Sequence, residues 1–504
     1  MKQRLPLTLG TTIFILGIFC IGFFLRAQET ISGNFLFLLD SGRDMMDVKK
    51  IVFDHKLTLI GPYTSLGGVF QGPLFYYLLA IPTALFEGNP WGNIFLMLVL
   101  SMLVLTVVFY GMNKYFGFIP AVITLVLFAF SPEAVAAATY FWNPHPMWII
   151  LVMYIFSLYG ALNNNSRAQL VLWPIIASSF HFQMAFGFFL FIATWVYIVL
   201  FHRGMFTKNK NMWFGLLLAG LFFLPQVLFE FRHNFLMTRS VIDVFQGSAR
   251  GLITSGEQGD AFSVLVNNYR TLRHNFISSF IHEKQFRYIP MILSLFSIAA
   301  LSYGAISKKF STHEKRFMHM AVSIIIIIWS LGLIYPYPLR YWFLTGFQSF
   351  YLVLMGIMLS KLYTVVIGRL SLFIVFTLLL SYAIFRLNVL YFNPPDDGGF
   401  AKIKGKIQAI DYIYQDAEEH NFGVMVFTPP VLTDAYDYLF WWHGRRRYGY
   451  IPYNEKKGTV YLLIEPDPGN PWSYNGWLET VIKTGIVEST ETLPSGIIIQ
   501  KRLM

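Results

Sequence analysis

The chain repeatedly offers unbroken apolar runs close to the length of a bilayer crossing, and no other feature constrains its fold so strongly. Such runs extend over Leu7 to Leu25, Trp91 to Tyr110, Trp213 to Phe229 and Leu370 to Phe385. A helix needs about 20 mostly apolar residues to cross the hydrocarbon. Lipid offers no partner to backbone N–H and C=O groups, so these runs must close their hydrogen bonds internally, as helices. Of the 504 residues 55% are hydrophobic and only 13% charged, and the mean hydropathy is +0.53, more apolar than a water-soluble core requires. The formal net charge of +11 does not point to nucleic acid, because Lys and Arg lie in short segments between apolar runs rather than in a stripe or tail. The single cysteine, Cys20, excludes an intrachain disulfide. The preceding Leu16-Gly17-Ile18-Phe19 lacks the small residue of a lipoprotein cleavage site, so the first run reads as a retained anchor.

Basic residues set the expected orientation. With Lys2 and Arg4 inside, the successive inner segments carry Lys114, then Arg167, then Arg203, Lys208 and Lys210, then Lys308, Lys309, Lys315 and Arg316, then Lys361 and Arg369, with Glu314 as their only carboxylate. That register requires Pro73 to Phe86 to lie at the interface, since it is too short to cross and ends in Glu87-Gly88-Asn89-Pro90. The expectation is a polytopic α-helical membrane protein of about eleven spans, near 7–25, 91–112, 117–132, 147–162, 168–182, 184–201, 212–229, 288–306, 317–334, 341–360 and 370–390. Residues 1–390 form the membrane domain, with outer loops at 26–90 and 230–287. Residues 391–504 read as a small extracytoplasmic α/β domain, with a helical stretch from Phe400 to Glu419 and strand-like runs at Gly423 to Phe427, Val460 to Ile464 and Gly496 to Gln500. No internal repeat of the transporter kind is visible.

The chemistry-bearing residues concentrate outside. Asp40-Ser41-Gly42-Arg43-Asp44-Met45-Met46-Asp47 crowds three carboxylates directly after an apolar stretch. If it is helical from Gly42, Arg43 and Asp47 can pair, and Asp40 is a cap or a free base. A carboxylate beside a membrane cleft suits a transferase, whose acceptor must lose a proton as it attacks an anomeric carbon. Further candidates are Asn143 and His145 in Tyr140-Phe141-Trp142-Asn143-Pro144-His145-Pro146, Arg232 and His233 after Glu230, and Arg340 before Tyr341. Asn143 could hydrogen-bond a substrate or end a helix; His145 could be an acid, a ligand or an interface histidine. Arg340, which could instead be a snorkelling anchor, suits phosphate through its planar fork. His181 and Gln183 could line a cavity or pack in the bundle. Trp441-Trp442-His443-Gly444-Arg445-Arg446-Arg447-Tyr448 could stack on sugars, grip headgroups or be a solvated surface.

A first span, an acidic loop motif and then Gly72-Pro73-Leu74-Phe75-Tyr76-Tyr77-Leu78-Leu79 resemble, in that order, the GT-C class of membrane glycosyltransferases, which includes protein O-mannosyltransferases and aminoarabinose transferases. Ser131-Pro132 and Pro338-Leu339-Arg340-Tyr341 extend the resemblance over roughly residues 7 to 360. It implies that Asp40 takes the catalytic acidic position, Arg43 that of the following Arg and Pro73-Leu74 half of the Pro-Pro-Leu element; Asp44 beside them joins the catalytic candidates, the cations Arg340, Arg232 and His233 are the candidates for a donor phosphate, and Gln71, Pro73, Tyr76, Asn143 and His145 those for the substrate cavity. Gln71-Gly72 departs from the Lys or second Pro of many relatives, and Asn143 stands in the loop where they often place an acid. The implied donor is a polyprenyl-phosphate sugar and the acceptor a lipid, glycan or protein. No cofactor is firmly implied, although the acidic cluster could bind a divalent cation. A polysaccharide polymerase or ligase, or a lipid-linked glycan transporter, is the alternative; a transporter would want ionisable groups in mid-span, and these spans carry almost none.

Overall fold

The computed structural model describes residues 8–246, 260–281, 310–392, 399–418 and 421–504. The expected span at 288–306, the basic residues Lys2, Arg4, Lys308 and Lys309, and residues 393–398 lie outside them. Among the described residues six helices are long and apolar enough to cross a membrane: Leu9–Ser32, Trp91–Phe116, Met184–Phe201, Lys210–Arg232, Thr312–Ile334 and Val366–Phe392. Shorter apolar helices occupy Leu74–Leu85, Phe118–Phe130 and Met147–Leu162, and Ser166–Ser179 and Gln348–Ser360 are further helices of the bundle. The protein is a multi-pass, mostly helical membrane protein.

Several boundaries differ from the sequence reading for physical reasons. The first helix runs on to Ser32 and so contains Arg26, which is 1% exposed. Its guanidinium donates to Ser101 Oγ (2.8 Å), to the carbonyls of Phe128 (2.8 Å) and Ala129 (2.9 Å), and to its own helix at Gly22 (3.0 Å). Arg26 thus supplies donors to the last carbonyls of the Phe118–Phe130 helix, which no further turn satisfies. The span expected to begin at Tyr341 starts instead at Gln348, after a 3-10 turn at Tyr341–Leu344. Gly346 breaks it with φ +84, and a Cβ there would meet the Met147 backbone at 2.9 Å.

The two ends of the bundle differ. At one, Lys361 pairs with Glu314 (2.5 Å), Arg316 donates to Asn163 (3.1 Å) and Ser311 closes a capping box with Glu314. These are residues the charge pattern puts on the inner side. At the other end irregular backbone gathers. Gly72 N donates to the Phe180 carbonyl (3.2 Å), Met184 N to Gln71 Oε1 (2.7 Å), Asn143 Nδ2 to the Phe182 carbonyl (2.8 Å) and Gln183 Nε2 to the Trp342 carbonyl (3.1 Å).

The Ala261–Ser278 helix, hereafter the basic helix, lies against the Tyr335–Leu344 segment through one polar stripe. Asn268 Nδ2 reaches the carbonyls of Gly332, Tyr335 and Tyr337, each at 3.1 Å, and Asn268 Oδ1 accepts from Leu339 N at 2.6 Å. Thr271 donates to the Leu339 carbonyl (3.0 Å) and Asn275 to the Leu344 carbonyl (3.0 Å). The spacing of three and four residues keeps all of them on one face.

Residues 399–504 build a four-stranded sheet in the order β1-β2-β4-β3, with β1 Gly423–Phe427, β2 Thr459–Ile464, β3 Ile486–Thr492 and β4 Ile498–Leu503. β1 and β2 are parallel, with Gly423 opposite Val460, and the other pairs are antiparallel. β3 escaped the sequence reading because Ile486-Val487-Glu488-Ser489-Thr490-Glu491-Thr492 is exposed throughout and carries no buried alternation. The covering helix starts at Ile403, and Lys406 on it forms a buried pair with Glu465.

Asn268→Leu keeps the branched shape of the side chain but removes all four Asn268 bonds, leaving Leu339 N without its acceptor and the carbonyls of Gly332, Tyr335 and Tyr337 without this donor. We expect a loss of about 2–4 kcal/mol, read as a lower unfolding temperature of the full chain in detergent.

Candidate active site

The acidic motif forms a helix, Leu39–Val52, whose N-cap is Leu38 and has no side-chain cap. Asp40 therefore sits inside the first turn, not ahead of it, where the positive end of the helix dipole favours a carboxylate. Arg43 does not pair with Asp47. It turns back to Asp40 (Nη1 to Oδ1, 2.9 Å) and across to Asp44 (Nη2 and Nε to Oδ1, 2.7 and 2.9 Å). Asp47 takes Lys50 instead (2.8 Å). The Tyr76 hydroxyl, from the Leu74–Leu85 helix, lies 3.3 Å from Asp44 Oδ1 and 3.2 Å from Asp47 Oδ2.

The two carboxylates on Arg43 live in different surroundings. The Asp44 side chain is 0% exposed, that of Asp40 45%. Burial pushes the Asp44 carboxyl up to about 7, against the pull of Arg43. Burial, with Asp44 next to it, also drives the Tyr76 phenol well above its ordinary range.

Asp40 faces a wall of rings. Trp142 Nε1 donates to Asp40 Oδ2 at 3.1 Å. Trp142 packs in turn on Trp342 and Tyr341, with centroids 6.1 and 6.5 Å away, and the Arg340 guanidinium lies over the Trp342 ring at 5.8 Å. The geometry thus links Asp40 and Arg340 through one cluster of aromatic rings packed edge-on and tilted. Tyr140 and Tyr341 lie within the electrostatic reach of both Asp40 and Glu133, and burial, before those charges, raises both phenols. Burial also raises the Glu133 carboxyl, against the pull of His274.

Beyond Tyr341 a cavity of about 340 Å³ is lined by Arg270, Thr271, Arg273, His274 and Tyr341. Glu133, Arg270, Arg273 and His274 were not singled out from the sequence. Their signals were the acid immediately after Ser131-Pro132 and the i, i+3, i+4 spacing of the three basic residues within outer loop 230–287.

The remaining candidates have structural partners. Gln71 is 3% exposed and binds Met184 N, and Pro73 begins the Leu74–Leu85 helix. Asn143 is bonded to the Phe182 carbonyl (2.8 Å), and His145 Nδ1 lies 2.9 Å from the Tyr140 carbonyl with its ring against Tyr140. His181 Nδ1 accepts from Leu74 N (3.3 Å). At the end of the Lys210–Arg232 helix, Arg232 is exposed and His233 folds back, stacking on Phe229 at 4.1 Å. Among the described residues no group of three or more His, Cys, Asp or Glu is arranged to hold a metal ion.

Because folded Asp44 keeps its proton to higher pH than in the unfolded chain, its contribution to stability is complete below about pH 4 and is lost as pH rises through about 7. Wild-type protein should lose stability over that window, by at most about 1.4 kcal/mol per pH unit. Asp44→Asn should flatten the slope, measured as unfolding temperature against pH in detergent.

Residues 71–229 match the sequence model of a family described as dolichyl-phosphate-mannose-protein mannosyltransferase. No curated protein matches the chain. Among solved structures, ArnT from Cupriavidus metallidurans bound to undecaprenyl phosphate superposes with a TM-score of 0.61 at 12% identity, over 98% of this chain and 98% of that one. The same protein in the apo state gives 0.51 at 12% identity, with the same 98% coverage of both chains. This chain is a multi-pass membrane protein with the fold of the GT-C class of membrane glycosyltransferases.

Proposed function

We propose that this protein moves a sugar from a polyprenyl-phosphate-linked donor to a lipid, glycan or protein acceptor on the extracytoplasmic face of the cell membrane. The observation that carries this reading is the half-exposed Asp40, held by Arg43 and Trp142 at one end of an aromatic cluster whose other end meets Arg340 and the basic cavity. The lipid phosphate bound by the similarly folded ArnT and the lipid-phosphate sugar named in the family description support the choice of donor.

In the proposed reaction the acceptor oxygen or nitrogen forms a bond to the anomeric carbon while the carbon–oxygen bond to phosphate breaks. The bonding pair leaves with the phosphate oxygen, and the acceptor proton passes to Asp40. Arg43 orients Asp40. Arg340, with Arg270, Arg273 and His274, is suited to neutralise the departing phosphate, because guanidinium forks match its oxygens. Glu133 and Tyr341, between the two groups, are placed to hold sugar hydroxyls.

Asp40→Asn preserves shape and removes basicity, so turnover should fall by about 10² or more while the protein still folds and binds donor. Asp47→Asn, which loses a partly exposed ion pair with Lys50 and keeps an amide oxygen for the Tyr76 hydroxyl, should change the rate little. Near-normal turnover of Asp40→Asn would overturn the assignment. Arg340→Ala should raise KM for the lipid-linked sugar, and Arg340→Lys should restore it only in part, since Lys keeps the charge but lacks the fork. A reporter active only in the cytoplasm, fused after Met504, should stay dark; a bright fusion would invert the orientation.

A further inference from the structure

The acidic helix is gripped from outside the membrane bundle by a short helix of the C-terminal region, Asp434–Leu439. The contact is made at Gly42, two residues after Asp40 and one before Arg43. Glycine in a helix interior costs about 1 kcal/mol relative to alanine, so its presence there calls for a reason. A Cβ on Gly42 would come well under 3.0 Å from the backbone N and Cα of Ala435, and 2.7 Å from the carbonyl carbon of Asp434. Backbone atoms cannot rotate away as a side chain would, so any larger residue must push the two helices apart.

The gripping helix is itself held on both sides. The Tyr436 hydroxyl donates to Glu465 Oε1 (2.8 Å), which also pairs with the buried Lys406, and the Tyr438 hydroxyl donates to the Gly88 carbonyl (2.5 Å). Just ahead of the acidic helix, Phe37 N donates to the Ala401 carbonyl (3.1 Å) and Ile403 N to the Phe35 carbonyl (3.0 Å). Trp441 closes over the far end, 5.0 Å from the Phe53 ring and 5.2 Å from Lys49 Nζ. Asp40 therefore lies between two backbone contacts, one at Phe35–Phe37 and one at Gly42, both supplied by residues after 400.

We propose that the Asp434–Leu439 helix is a positioning element for the Asp40–Arg43 pair, with Gly42 as the positioning residue through which it acts. The inference rests on the function proposed above and gives the C-terminal region a part in it: setting the distance from Asp40 to the anomeric carbon. An error near 1 Å at a reacting group can cost about 10²-fold in rate, so a displaced helix should impair turnover before it impairs folding.

The test compares variants of the full chain in nanodiscs, with a polyprenyl-phosphate sugar as the probe. Gly42→Ala should lower kcat by about ten-fold or more and leave KM for the donor within about two-fold, since the basic cavity is built on other elements. Tyr436→Phe, which loosens the gripping helix without inserting an atom, should lower kcat in the same manner and keeps the test available if Gly42→Ala fails to fold. Tyr461→Phe removes a hydrogen bond to Asp416 elsewhere in the C-terminal region (2.6 Å); it should lower the unfolding temperature and spare kcat. Normal kcat in both Gly42→Ala and Tyr436→Phe, or losses that follow unfolding temperature across all three, would overturn the proposal. If these variants are normal while Asp40→Asn is inactive, the positioning role alone falls. If Asp40→Asn is also normal, the function itself falls.

Discussion

The architecture depends on satisfying backbone groups where helices break in a setting poor in water. An unbroken helix closes its own hydrogen bonds, but each interruption frees carbonyls and amides that must find a donor or acceptor within the protein. Here side chains from distant segments supply them. Arg26 serves the end of the Phe118–Phe130 helix, Gln71 the start of Met184–Phe201, Asn143 the Phe182 carbonyl, and Asn268 four groups of the Gly332–Leu339 stretch. Each staple ties a helix break to a segment distant in sequence. The price of irregular backbone is thereby turned into a rigid rim, and the Asp40–Trp142–Arg340 arrangement is mounted on it.

Within that rim, one guanidinium divides the labour of two acids. Arg43 touches both Asp40 and Asp44, but only Asp40 keeps access to solvent. Asp44, fully buried beside Tyr76, carries a raised affinity for its proton and serves to fix Arg43. An exposed carboxylate on an immobilised cation has a defined direction and an open face, which is what proton acceptance from an incoming nucleophile requires. The Trp142, Tyr341 and Trp342 rings beyond it stand between that carboxylate and Arg340.

Much of this could be read before any coordinates. The apolar runs specified a helical membrane protein, and the acidic motif before Gly72-Pro73-Leu74 singled out Asp40 and Arg43. Other features were illegible for definable reasons. Arg43 chose Asp40 and Asp44 over Asp47 because the helix starts three residues earlier than assumed, and burial at Asp44 is a tertiary property. The sequence presents Gln71 and Asn143 as polar residues in outer loops, a description that fits a cavity wall and a backbone staple equally well; only the partner decides. The basic helix was overlooked because Arg270, Arg273 and His274 carry no motif, and β3 because an exposed edge strand needs no apolar alternation. Nothing in the sequence around Gly42 signals the Ala435 backbone packed against it, which is a tertiary contact.

The account stands on the claim that a sugar is cleaved from a lipid phosphate at this site, and following the fate of the lipid tests it most directly. Purified protein in vesicles would be supplied with a polyprenyl-phosphate sugar labelled in both lipid and sugar, together with extracted envelope acceptors. The account predicts that free polyprenyl phosphate accumulates in step with sugar on the acceptor. Recovery of the intact lipid-linked sugar, including its passage to the other leaflet without cleavage, would contradict it.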